Sequence, residues 1–227
     1  MALDSDVLPR GLFVAKVSMC TQTLKKYYIS KGRRDYRRIT ETYKGEIFPY
    51  SQLLFHGFYN RLRLRLIKES VLHRAGKVLD VGCCDGYVLL TTPRSGDLKI
   101  GIDVMPEALK DAKKAAKKLK RHGETEFLLS DAEKLVLKDN SVDVIISAEL
   151  LEHVLNPVAV LEEYSRVLKP SGLLILSLPT VHSAKTLIAK VFRRRLQFRS
   201  PFHLREYGFI KTKGITLLQD CLKNLTL

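Results

Sequence analysis

Between residues 77 and 180 the chain alternates short apolar runs with longer stretches whose apolar positions recur at helical spacing. Val78–Val81, Leu98–Asp103, Glu126–Leu129, Val142–Ser147 and Leu173–Leu178 have the length and Val/Ile/Leu content of buried strands. Helical patterns separate them. One starts near Gly86 and stops at Pro93, because proline lacks the N–H that an inner helical turn needs. A second, Pro106–His122, opens on a proline tolerated in the first turn and is expected to end at Gly123. A third runs from Pro157 to Leu168, with Lys169-Pro170-Ser171-Gly172 as the turn after it. Strands alternating with helices through short loops predict an α/β fold, a doubly wound and mostly parallel sheet.

The flanks are patterned differently. Leu54, Phe55, Phe58, Tyr59, Leu62 and Leu66 recur at helical spacing within Ser51–Leu72, which predicts a helix packed on the sheet. Residues 1–45 are basic and weakly patterned, with Lys31, Arg33, Arg34, Arg37 and Arg38 interleaved among Tyr27, Tyr28 and Tyr36. Ala184–Arg199 sets Leu187, Ile188, Val191, Phe192 and Leu196 against six basic residues, an amphipathic basic helix suited to a lid, to anionic lipid or to nucleic acid. The expected division is a basic, helical N-terminal extension over residues 1–72 and one domain over residues 73–227.

Charge sharpens that division. The net charge is +15, and residues 77–180 contribute −2, against +9 from residues 1–76 and +8 from residues 181–227. A near-neutral core between two basic flanks points to an anionic substrate, an anionic surface or nucleic acid, or to a plain solvated surface. No apolar run approaches the roughly 18 residues of a membrane span. Cys20, Cys83, Cys84 and Cys221 have neither metal-ligand spacing nor the look of a disulfide framework. No secretory pattern is evident, so a reducing cytoplasm is expected.

Candidate chemistry begins at Lys77–Gly86, K-V-L-D-V-G-C-C-D-G. Glycine there lets the chain turn tightly beside a ligand, and a strand–glycine loop–helix unit at the carboxyl edge of a parallel sheet is where such folds hold nucleotide-like groups. A dinucleotide fingerprint starting at Gly82 needs glycine where Cys84 and Tyr87 stand. Instead the glycines are four apart, and Asp80 precedes the first by two. This resembles the first motif of class I S-adenosylmethionine (SAM)-dependent methyltransferases, D-V-G-C-G-x-G, with Cys84 replacing the middle glycine and giving a slightly tighter floor.

Four further blocks match in order: G-I-D-V-M-P-E-A-L, L-L-S-D-A-E-K-L, V-D-V-I-I-S-A-E-L-L-E-H-V and V-L-K-P-S-G-L-L-I-L-S-L-P. Across residues 77–180 the chain thus resembles the ubiquinone and menaquinone biosynthesis type of that family. The resemblance implies a Rossmann-like methyltransferase fold, SAM as methyl donor and S-adenosyl-L-homocysteine as product. It also implies a cofactor site: Asp80 beside the methionine amine, Gly82, Cys84 and Gly86 beneath the methionine part, Asp103 and Val104 at the ribose, Asp131 and the Ala132 amide at the adenine, and Ser147 at the end of the fourth strand. Each aspartate could equally be a helix or turn cap.

After the fourth strand, Glu149, Glu152 and His153 share one face if that segment is helical. His153 or Glu149 could be a general base. The three could also ligate a divalent ion, as the same string does in methyltransferases of small-RNA ends, or merely pack a helix start. His182 and His203 could reach the same cavity.

The expected activity is methyl transfer to an oxygen or carbon nucleophile of a small or lipid-like molecule. Nucleic acid, peripheral membrane contact and self-association remain open as partnerships, and an RNA methyltransferase or a non-catalytic SAM-fold subunit as alternatives. Thr212–Cys221 reads as a helix and Lys223–Leu227 as a sixth strand. Relatives add a seventh strand between the fifth and sixth, so an incomplete edge beside the fifth is expected here.

Overall fold

The computed structural model describes residues 21–51, 58–72, 74, 76–93 and 98–178. His182, His203, the Ala184–Arg199 segment, and the helix and strand expected after Thr212 lie outside the described residues, as does the edge they would complete.

Five parallel strands form one sheet: β1 (Lys77–Val81), β2 (Leu98–Asp103), β3 (Thr125–Leu129), β4 (Val142–Ala148) and β5 (Leu168–Ser177), in the order β3-β2-β1-β4-β5. The order reverses beside β1, which places a crevice at its carboxyl end. The helices are α1 (Thr21–Thr42), α2 (Phe58–Leu72), α3 (Tyr87–Thr91), α4 (Pro106–Lys118) and α5 (Pro157–Val167). Strand alternation splits the apolar residues between two cores. Leu79, Val81, Ile102 and Ile145 pack with Leu161 and Tyr164 of α5. Val78, Val144 and Ile146 pack on the other face with Leu64, Ile67 and Val71 of α2, Leu89 of α3 and Leu109 of α4.

Three elements depart from the sequence pattern. Helix α4 stops at Lys118, four residues before the expected end, because Lys120 turns left-handed at φ 55. Arg121 N then donates to Ala116 O at 2.8 Å, closing a Schellman turn without glycine. Strand β5 starts at Leu168, five residues before the expected Leu173, and takes in the expected turn. Val142 pairs with Leu168 and Val144 with Leu173, so the intervening residues bulge, with Ser171 left-handed at φ 64. Helix α1 is 22 residues long in a region with little apolar pattern. It is fastened by charge, through contacts to the site described next.

The end of α3 is covered by cations. Buried Lys99 donates from Nζ to Thr92 O at 2.9 Å and Pro93 O at 2.9 Å, and Arg121 reaches Thr92 O at 2.8 Å. Carbonyls left over at a helix C-terminus favour such donors.

Candidate active site

The chain turns sharply after β1. Gly82 and Gly86 have φ 77 and 78, and Cys84, between them, φ 50. The glycines are required by packing as well as by conformation. A Cβ on Gly86 would stand 3.1 Å from Ala112 Cβ, and one on Gly82 would stand 3.0 Å from Leu150 Cδ1. Gly82 therefore brings the loop after β4 against the glycine loop. Cys84 takes a left-handed conformation costly for a residue with a Cβ.

Two acids lie behind this loop. Asp103, at the end of β2, accepts from Cys84 N and Met105 N, both at 2.9 Å, and so ties the glycine loop to the β2–α4 turn. Burial raises its pKa, opposed by the amides of Met105, Cys84 and Val104. Asp80 is buried, and its Oδ2 has no hydrogen-bond partner. Burial and the nearby Asp103 charge push Asp80 up to about 7, against a hydrogen bond from the Leu89 amide. Among the described residues no cation sits on either acid, and a buried carboxylate oxygen without a partner can receive a cationic group.

Asp85 has a different task. Fully buried, it accepts from Tyr50 N at 3.0 Å and Ser51 N at 2.9 Å, and from the Ser51 hydroxyl. It pins the segment before α2 to the glycine loop. Burial drives the neighbouring Cys83 and Cys84 thiols well above their ordinary pKa, so neither is poised as a nucleophile.

Helix α1 lies against the segments that follow β2 and β3. Lys25 pairs with Asp131 and, at 2.7 Å, with Glu133 in the turn after β3. Arg33 and Arg37 pair with Glu107 at the start of α4. The Tyr36 phenol donates to Asp111 at 2.9 Å, and its ring stacks on Tyr50 with centroids 5.2 Å apart. Asp131 also accepts from Glu133 N at 3.0 Å, and the Ala132 side chain lies in the core.

The loop after β4 differs from expectation. Residues 151–153 form a turn, and Glu149 is left-handed at φ 57, so Glu149, Glu152 and His153 do not share a helical face. Glu149 is held by Arg63 of α2 at 2.9 Å and by the Ser177 hydroxyl at 2.8 Å. Glu152 points inward with no exposure, and burial lifts it to about 8. His153 faces outward, its side chain 38% exposed. Among the described residues no group of three or more His, Cys, Asp and Glu could hold a metal ion. Ser147 is fully buried and its hydroxyl accepts from Tyr164 at 2.9 Å, so that side chain already has a structural role.

Asp85, Ser51, Tyr36, Lys25 and Arg63 were not singled out in the sequence as site residues. Asp85 had a signal, an acid inside the glycine loop. The others are defined only by partners far along the chain.

The family described as "Methyltransferase domain" matches residues 79–176, the segment from β1 to β5. Over that segment the chain is similar to methyltransferase domains. A ubiquinone biosynthesis O-methyltransferase from Actinobacillus pleuropneumoniae is 33% identical over 129 residues, 52% of this chain and 52% of that protein. Its namesake from Xanthomonas oryzae is 30% identical over 152 residues, 65% of this chain and 63% of that protein. The chain thus spans between half and two thirds of the length of these curated relatives. A SAM-dependent methyltransferase from Thermotoga maritima superposes with TM-score 0.57 at 20% identity, over 88% of this chain and 79% of that one. The YcgJ protein of Bacillus subtilis gives 0.56 at 23% identity, over 72% and 67%. At these identities the two structures establish the methyltransferase-domain fold alone.

Proposed function

We propose that this chain binds SAM along the carboxyl ends of β1–β3 and transfers its methyl group to an oxygen or carbon nucleophile of a small, lipid-like acceptor, leaving S-adenosyl-L-homocysteine. The observation that carries the cofactor assignment is the buried, half-satisfied Asp80 beside Asp103, two carboxylates with no cation on them among the described residues. The methyltransferase domain and the O-methyltransferase relatives support the reaction class.

When bound, SAM supplies an electrophilic methyl group on a cationic sulfur. The chain's residues hold and shield it. Asp80 offers charge to the methionine amine, and the Gly82–Cys84–Gly86 turn lies beneath. Asp103, already fixed by two amides, has lone pairs left for ribose hydroxyls, with Val104 alongside. Asp131 and the Ala132 amide serve the adenine, and Ser147 contributes from its backbone. Helix α1 closes over the crevice and excludes water, which strengthens the electrostatics inside.

For the acceptor proton, His153 is the proposed general base, because its ring faces outward while its Nε2 lies 3.8 Å from the Glu152 carboxylate, which would stabilise the proton it takes up. Glu149 is the weaker candidate, since Arg63 and Ser177 occupy its carboxylate. It fits a positioning role better.

Calorimetry with SAM, followed by a labelled-methyl screen against metabolite and lipid extracts, tests the reading. Binding with label in a small or lipid-like product is expected. No SAM binding, or label confined to RNA, overturns it.

A further inference from the structure

A second feature lies on the outer edge of the sheet, where α4 runs alongside β3. There a groove of about 530 Å³ opens at the edge of the sheet, since among the described residues β3 pairs with β2 alone. Its floor is apolar, made by Leu109, Phe127 and Leu129. Leu129 is 58% exposed, an aliphatic side chain presented to solvent at the rim of an apolar trough. Lys110, Lys113, Lys114 and Lys117 line the helix side. Their spacing of three, four and seven residues puts them on one face. Lys114 is paired with Asp111 at 2.9 Å, and the other three have no ion-pair partner among the described residues.

This combination selects its partner. A purely solvated lysine face has no use for an exposed leucine on an apolar floor. A nucleic acid would match the lysines and not the floor, because Phe127 is 6% exposed and the groove offers no aromatic platform for a base. An anionic bilayer matches both, with phosphates for the ammonium groups and an acyl boundary for Leu129. Lysine stems suit such a boundary, lying along apolar surface while their charges stay in the headgroup layer.

We propose that the α4–β3 groove docks this protein on anionic lipid surfaces. Leu129 enters the acyl boundary and Lys110, Lys113, Lys114 and Lys117 bind headgroup phosphates. Among the described residues no helix is long and apolar enough to cross a membrane, so this contact is peripheral. Docking does not depend on which reaction the crevice performs.

The test is co-sedimentation of the full chain with vesicles of phosphatidylcholine alone or with one third phosphatidylglycerol. The wild-type protein should bind the anionic vesicles only. Lys113→Gln with Lys117→Gln should weaken binding roughly 25-fold, about fivefold per lysine near a charged surface. Leu129→Ser, which leaves the charge unchanged, should weaken it roughly tenfold, as expected when an exposed leucine is no longer buried. Arg34→Gln with Arg38→Gln, on the outer face of α1, should bind within a fewfold of wild type. The melting temperature, measured on each variant, should stay near the wild-type value and confirm folding. Absent vesicle binding overturns the proposal, as does binding insensitive to Leu129 or equally sensitive to the Arg34/Arg38 pair. Tighter binding to single-stranded RNA or to an acidic polypeptide, with the same lysine dependence and none on Leu129, reassigns the groove and also overturns it.

Discussion

Two groups of acids along the carboxyl ends of the strands contrast. Glu107, Asp131, Glu133 and Glu149 are each paired with a cation carried in by α1 or α2. Asp80 and Asp103 are buried with no such partner, held only by backbone amides and pushed upward in pKa. The first group fastens helices. On the proposed reading, the second group keeps its charge for a cationic ligand. Burying an uncompensated carboxylate costs stability, so it persists where a ligand supplies the counter-charge. The same acid chemistry thus serves as a clasp at one end of the crevice and as a seat at the other.

The sharpest way to break this distinction is Asp103→Ala. Loss of a charged acceptor should weaken SAM binding by about 1.5–3 kcal/mol, roughly ten- to a hundredfold. Calorimetry reads this directly, and wild-type affinity in the variant would return Asp103 to a purely structural role. The melting temperature should fall as well, since Cys84 N and Met105 N lose their acceptor.

The next effect is in pH. A cationic ligand needs Asp80 ionised, and Asp80 titrates near 7 without one. SAM affinity should therefore hold above pH 7 and fall as pH drops, approaching tenfold per unit. Asp80→Asn should flatten the profile. For the unliganded fold the sign reverses. A carboxyl whose folded pKa is raised favours folding at low pH, and that contribution fades as pH rises from about 4 toward 7. An affinity that is level between pH 8 and 6 in the wild type would remove Asp80 from the seat.

Within the glycine loop, Cys84→Gly should relieve the left-handed backbone and stabilise the protein by up to about 1 kcal/mol, with SAM binding retained. Denaturant titration checks this, and a loss of stability would mean that the Cys84 side chain contributes packing worth more than the strain.

On the clasp side the effects should be smallest. Lys25→Ala removes a partly exposed ion pair, a class worth about 0.2–1 kcal/mol. Hydrogen exchange in α1 should quicken by up to about fivefold while global melting barely moves. Equal loss of protection throughout the sheet would show that α1 is integral to the core and not a closure over it.

Much of the seat was legible in the sequence, because strand, turn and acid follow one another within a few residues. Val78–Val81, Gly82, Gly86 and the last residue of β2 stand where periodicity and turn chemistry put them. The clasp was not legible. Lys25 meets Asp131 and Glu133 more than a hundred residues away, and nothing apolar in Thr21–Thr42 announces the contact. Ser51 and Asp85 are 34 residues apart and local patterns are blind to that distance. The loop after β4 misled for a local reason. A single left-handed residue, Glu149, broke the helical spacing that would have aligned Glu149, Glu152 and His153. The bulge in β5 arose likewise, from a Pro-Ser-Gly string that reads as a turn and is instead absorbed by the ladder beside β4.

The stacked Tyr36–Tyr50 pair gives α1 an optical signature of its own. The chain has nine tyrosines and no tryptophan, so its near-ultraviolet circular dichroism arises from tyrosine and phenylalanine without an indole background. Two rings 5.2 Å apart and inclined by 19° couple as chromophores, and the Asp111 hydrogen bond fixes one of them. Separating α1 from the segment before α2 would abolish that coupling and leave the sheet's far-ultraviolet signal. The seating of α1 can thus be followed in the unlabelled protein.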